Sequence, residues 1–202
     1  MRLVDVCEVQ MGYTARGRLE PSEHGVPGIQ LRDIPPVGDI ASDRLSCFKL
    51  EGNTERYLVR SGDLVFRSRG DRNTAHVIGS DFRFPAVAIL PLIILRPDRG
   101  RIEPGFLAWV LNQAPAQKHF HTKAEGTSLR MVPRSSFDTL DIDVPDLDEQ
   151  RTIVEADALA EKERMLASSL ADKRRLMMSL ILVDRARNAG PDKGKKGKDH
   201  DR

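Results

Sequence analysis

The chain lacks the features that would give it a chemistry of its own. Its only two cysteines, Cys7 and Cys47, have no metal-ligand spacing and read as reduced core residues rather than a disulfide. No run approaches the ~18 apolar residues that cross a bilayer. The longest, Pro85 to Leu95, is too short. The opening Met1-Arg2-Leu3-Val4-Asp5-Val6 carries an acid at its fifth position and no apolar stretch for a signal peptide. These absences point to a cytosolic (cytoplasmic) protein with no membrane partner.

Motifs for catalysis are missing too. There is no P-loop, dinucleotide fingerprint or other glycine-rich phosphate cradle. No acidic cluster with a following lysine suggests a metal nuclease, and no nucleophile elbow singles out a serine. Asp33-Ile34-Pro35-Pro36 approaches the Asn/Asp-Pro-Pro-aromatic motif of amino-methyltransferases, but Ile34 intrudes and Val37 replaces the aromatic. His119-Phe120-His121 would set two imidazoles on one face of a strand, yet no further ligand lies at metal spacing. Both read as surface histidines. The sequence implies no catalytic residue, no metal and no cofactor.

A bulk basic field is the last absence. Net charge is +2 over 202 residues, and from Ala186 onward six Lys/Arg face three Asp, which leaves the rest of the chain at −1. Any affinity for nucleic acid must therefore be local.

What is present is organised around Leu140 to Val154. Leu140, Ile142 and Val144 alternate with Asp141 and Asp143, the period of a half-buried strand. Pro145 ends it, and Asp146 or Asp148 is placed to cap a helix with Glu149 in its first turn. We expect a domain over 1–145, a long helix over 146–187, and a charged, glycine-rich tail over 188–202 that cannot bury a core and should be disordered. In heptads, the helix seam reads Ala156, Leu159, Glu163, Leu166, Leu170, Lys173, Met177, Leu180, with six of eight positions apolar. That suits pairing with a second helix through Leu159, Leu166, Leu170, Met177 and Leu180. The alternative is a helix folded back on its own domain.

Before the junction, Leu3 to Gln10 reads as a short helix or strand, Arg16 to Pro27 as an exposed loop, and Gly28 to Ile34 as a strand. Ser46 to Leu50 is another possible strand. Leu58-Val59 and Leu64-Val65-Phe66 flank a turn at Ser61-Gly62-Asp63. Ala75 to Gly79 and Ala86 to Leu95 look like strands, the second buried on both faces. Phe106 to Asn112 forms a short amphipathic helix, Ala116 to His121 a helical turn, and Thr122 to Arg130 a loop.

Two segments are locally basic. Between Arg56 and Arg72, five arginines (56, 60, 67, 69, 72) face two aspartates. Between Gln117 and Arg134, Lys118, Lys123, Arg130 and Arg134 face Glu125. Arg and Lys contact phosphates and guanine edges, and Asn suits adenine. On composition alone, solvated loops with scattered charge are the better explanation of both segments.

Several stretches together resemble one family. Tyr57 to Phe66 followed by Arg67-Ser68-Arg69-Gly70, the opening Leu3 to Thr14, Gly28 to Ile34, Phe106 to Leu111 and Gly126-Thr127-Ser128 are similar to segments of target recognition domains. These belong to the DNA specificity (S) subunits of type I restriction–modification systems. Most specific is Pro145-x-x-x-Glu149-Gln150-x-x-Ile153-Val154 leading into the long helix. The resemblance spans roughly Arg2 to Leu182.

It implies an α+β fold, a mixed α/β recognition domain with a small twisted sheet, followed by one long coiled-coil-type helix. It also implies a non-catalytic module whose partners are double-stranded DNA and a DNA methyltransferase subunit. The expected DNA contacts are Arg67, Arg69, Arg72, Asn73, Lys118, Lys123, Thr127, Ser128 and Arg130. Full-length subunits carry two such units whose helices pair antiparallel. This chain carries one, so a half-subunit that forms a homodimer through the helix is expected. The competing reading is an oligomerisation adaptor of a defence complex that binds protein through its helix and no DNA.

Overall fold

The computed structural model describes residues 1–35, 38–70, 73–82, 84–126 and 130–189. Among these, eight strands precede three helices: β1 (Cys7–Met11), β2 (Pro21–Ile29), β3 (Cys47–Phe48), β4 (Leu58–Val59), β5 (Leu64–Arg67), β6 (Ala75–Val77), β7 (Ala86–Ala88), β8 (Leu92–Pro97), α1 (Pro104–Asn112), α2 (Ala114–Lys123) and α3 (Leu147–Asn188). The fold is mixed, but two four-stranded sheets stand where one was expected. The first runs β1-β8-β5-β6, all antiparallel; the second runs β3-β2-β7-β4, with β2 and β7 parallel.

Alternation along β5 and β8 explains the layering. Leu64, Phe66, Ile93 and Leu95 join a core with α1, α2 and the Phe137 turn, whereas Val65, Leu92 and Ile94 join Ile29, Val59 and Ala88 of the second sheet. The first sheet is thus covered on both faces, which accounts for its nearly continuous apolar runs. Phe66, Phe120 and Phe137 meet with centroids 4.8–5.0 Å apart at the centre of the helix-side core. Cys7 is buried among these residues, and burial pushes its thiol up to about 12, so it stays protonated.

Several expectations need correction. Leu3 to Gln10 is a 3-10 turn, Leu3–Asp5, followed by β1. The stretch read as a loop over Arg16 to Pro27 contains most of β2; at Gly25 a Cβ would stand 2.5 Å from the Phe48 carbonyl, so only glycine allows this close strand approach. Gly28 to Ile34 is extended only to Ile29. Asp33 then accepts a bond from the Gln30 N–H at 2.8 Å and closes a 3-10 turn, a local side-chain bond that outcompetes the ladder.

Ala86 to Leu95 is two strands in different sheets, divided at the cis Leu90–Pro91 peptide. Gly62 turns with φ +87°, as its place between the two apolar runs suggested.

At the junction, burial alternates as expected, but Leu140 to Val144 makes no ladder. A single bridge, Arg2 to Asp141, joins it to the start of the chain, with Leu3 N–H donating to Leu140 (2.9 Å) and Ile142 N–H to Met1 (2.9 Å). Asp146, rather than Asp148, caps α3 by accepting the Glu149 N–H at 2.9 Å.

Gln150 is fully buried: its carbonyl accepts the Glu103 N–H (2.8 Å), and its amide donates to Arg101 (3.1 Å) and Pro145 (2.8 Å). The chain divides into two units, Met1–Val154 and Glu155–Arg202, so the first two turns of α3 pack with the globular unit. From Glu155 to Ala189 every side chain but that of Glu161 is exposed, including Leu159, Leu166, Leu170, Met177 and Leu180. α3 runs to Asn188, one residue into the tail expected over 188–202, and the tail from residue 190 lies outside the described residues. No described helix is long and apolar enough to cross a membrane.

Candidate nucleic-acid interface

Arg67 ends β5, and the chain immediately loops back to start β6. Arg67 N–H donates to Thr74 (2.8 Å), the Asn73 amide donates to the Arg67 carbonyl (3.0 Å), and the loop turns at Gly70 with φ +111°. Gln117 on α2 ties this loop to the helices, donating from Nε2 to the carbonyls of Asn73 and Leu111, both at 2.7 Å. Ser68 is buried and bonded to the Pro91 carbonyl.

The second basic segment arrives at the same place. Val132 N–H donates to the Ser68 carbonyl at 2.8 Å, and Met131 forms bridges to both Arg69 and Glu125. Segments some sixty residues apart in the chain therefore share one rim of the first sheet, with α2 beside them.

Charge on that rim is not evenly available. Arg69, Lys118 and Lys123 are exposed and form no side-chain hydrogen bond or ion pair among the described residues. Arg67 is half-buried and its Nε donates to the Arg69 carbonyl (3.3 Å). Arg130 is exposed but donates from Nη2 to His121 (3.0 Å) and Ala124 (2.8 Å), carbonyls at the C-terminus of α2, where a cation is favoured. Arg134 is engaged with Asp138 (3.1 Å) and the Val9 carbonyl (3.1 Å). Arg72, Thr127 and Ser128, expected on the same surface, lie outside the described residues.

The basic surplus from Arg56 to Arg72 does not form one patch. β5 pairs antiparallel with β8, so Arg67 sits opposite Leu92, while Arg60 sits beyond the other end, past the turn at Gly62. Arg56 lies over the Tyr57 ring at 4.6 Å, and Arg96 bonds the Arg56 carbonyl at 2.6 Å. Two residues escaped sequence reasoning. Gln117 carries no local signal, since its partners are backbone carbonyls set by the fold. Asn112 pairs both ways with the Ala75 backbone at 2.9 Å, extending β6 from a helix end. His119 and His121 lie on α2, not on a strand; His119 Nε2 bonds the Ser136 carbonyl at 2.8 Å. No cluster of three or more potential metal ligands occurs among the described residues.

No protein-family model matches the chain, and no curated protein matches it. Solved structures do. The HsdS subunit from Thermoanaerobacter tengcongensis superposes with a TM-score of 0.64 at 23% identity, over 96% of this chain and 51% of that one. A chain from a type I R-M system, described for its complex assembly and conformational transition, gives 0.64 at 21% identity over 89% of this chain and 42% of the other. The type I restriction–modification S subunit from M. genitalium gives 0.53 at 15% identity, over 87% and 42%. The chain has the fold of these subunits and spans about half of their length or less.

Proposed function

We propose that this chain is a sequence-specific module for double-stranded DNA in a type I restriction–modification-like system. It catalyses nothing itself, positions a methyltransferase subunit, and pairs with a second copy through α3. One observation carries this reading: on a fold shared with S subunits, two basic segments far apart in sequence meet at one sheet rim through Arg69, Met131 and Ser68.

In this reading the rim is laid against DNA. Arg69, Lys118 and Lys123 make the long-range contacts, with Arg72, Thr127 and Ser128 completing the surface. Arg67 and Asn73 fix the loop that presents Arg69, and Arg130 fixes the loop after α2. A globular unit without a bulk basic field suits this arrangement. Its non-specific phosphate term is small, so discrimination depends on a few placed side chains.

Selection from a randomised duplex library at ~0.15 M salt tests the reading, with the chain alone and with its candidate methyltransferase subunit. A short enriched site, repeated as an inverted pair, is the expected outcome. No enrichment in either arm would refute DNA recognition and leave the protein-binding adaptor as the reading in force.

A further inference from the structure

The loop between β1 and β2, residues 12–20, has no part in the surface described above. Counting charge hides it: from Arg16 to Pro27 two arginines face two glutamates, so no surplus shows. The fold nevertheless brings this loop to the rim. Gly12 N–H donates to the Leu92 carbonyl (2.9 Å), and Leu92 is the register partner of Arg67. Only β8 separates β1 from β5, so at about 4.8 Å per strand the loop leaves the sheet about 10 Å from Arg67. The β1–β2 and β5–β6 loops therefore emerge from the same end of the first sheet.

Both ends of the β1–β2 loop are held. At Gly12 a Cβ would stand 2.8 Å from the carbonyls of Ala88 and Leu92, so only glycine lets the chain pass from the first sheet to the second there. Tyr13 anchors the next step. Its N–H donates to Ala88 (2.8 Å), its carbonyl accepts from Leu90 (3.0 Å), and its hydroxyl pairs both ways with the Glu51 backbone (3.1 and 3.2 Å). Lys49 N–H closes the far end on the Glu20 carbonyl at 3.3 Å. Arg16, Arg18 and Lys49 line the resulting hollow of about 350 Å³. All three are exposed, and none forms a side-chain hydrogen bond or ion pair among the described residues. Glu20 and Glu51 border the hollow too, yet neither pairs with these cations.

We infer, on the DNA reading proposed above, that Arg16, Arg18 and Lys49 hold the phosphate backbone beside the recognition loop and carry affinity without sequence preference. The layering gives the reason. Lys118 and Lys123 stand on α2, on the helix side of the first sheet, whereas Tyr13 packs with Phe48, Val87 and Ile89 of the second sheet. The loop after Arg67 thus lies between two sets of cations, as a segment entering a groove lies between two backbones. A major groove is about 12 Å wide, so cations rooted about 10 Å from Arg67 meet phosphates when that loop faces the bases. Such a contact supplies a phosphate term without a bulk basic field.

Fluorescence anisotropy on a selected duplex and on its scrambled counterpart, across a salt series, tests the assignment. Arg16→Ala, Arg18→Ala and Lys49→Ala combined should weaken both duplexes by the same factor, at least about tenfold. The slope of log affinity against log salt should fall by about three. Arg16→Lys with Arg18→Lys should keep the slope and stay within about threefold of the parent on both duplexes. A phosphate accepts a point charge where a guanine edge favours the arginine fork.

A triple variant with parental affinity and slope would overturn the assignment and leave DNA recognition in place. A loss confined to the selected duplex would make these residues base readers and overturn it as well. A urea midpoint that falls along with affinity would make the loop's role structural, with the same result. A parent chain that binds neither duplex at any salt would refute the DNA reading itself, and this assignment with it, before any variant is made.

Discussion

Gln150→Leu offers the sharpest test of how the globular unit is closed. The leucine matches the glutamine in size but removes all three bonds that Gln150 makes to Glu103, Arg101 and Pro145. At about 1 kcal/mol net per bond the loss is about 3 kcal/mol. The Glu103 N–H, left dry beneath a leucine, adds roughly 1–3 kcal/mol more. With a urea slope of about 2 kcal/mol/M, the midpoint should fall by about 2–3 M. Trp109 lies in the same unit and reports it by fluorescence without contribution from the exposed part of α3. Gln150→Glu keeps the acceptor but faces two carbonyls with a carboxylate. It should be similarly destabilised at neutral pH and recover as pH falls, because a protonated carboxyl donates again. A midpoint drop for Gln150→Leu below about 0.5 M would refute the reasoning and mark the buried amide as energetically neutral.

Arg69→Ala should weaken binding to a selected duplex and lower the slope of log affinity against log salt by about one, and Arg67→Ala with Arg69→Ala should weaken it further; fluorescence anisotropy across a salt series checks both, and unchanged slopes would remove the loop from the interface. Leu166→Asp with Leu170→Asp should yield monomers in sedimentation, and a surviving dimer would put the interface elsewhere. His76, on β6 and bonded to Thr74 Oγ1 at 3.0 Å, has its pKa lowered, chiefly by burial. The unfolded chain therefore takes up this proton first as pH falls through the usual histidine range, and stability declines there. His76→Gln should flatten that part of the stability profile in urea titrations at stepped pH.

The junction was the most legible part of the sequence, but its motif has more than one cause. The acid cap, the alternation and the helix start could be read locally, because each depends on neighbours within four residues. Gln150 could be marked as part of a specific pattern, yet most of its reason, the Glu103 N–H and the Arg101 carbonyl of one distant segment, exists only in the fold. The two basic segments were visible as separate surpluses. Their meeting was not, since it depends on Met131 bridging to Arg69 across the chain. Charge counting also misled at Arg56 and Arg60, which one strand carries to the opposite end of the sheet from Arg67. Periodicity failed where a short-range side-chain bond or a proline interrupted it, at Asp33 and at Pro91.

The tie between the start of the chain and the junction has a consequence in time. Leu3 is fully buried, and its N–H is held by Leu140, so the turn that leads into the first strand cannot settle until residues near 140 have been made. A closure this distant in sequence is slow by its nature and leaves early apolar residues uncovered while it waits. During synthesis, Val6, Val9 and Leu64 must be kept from other chains until the Asp146 cap and Gln150 emerge. The helix with its exposed leucines leaves the ribosome only after them, so that sticky surface is released when the globular unit already has every residue it needs to close.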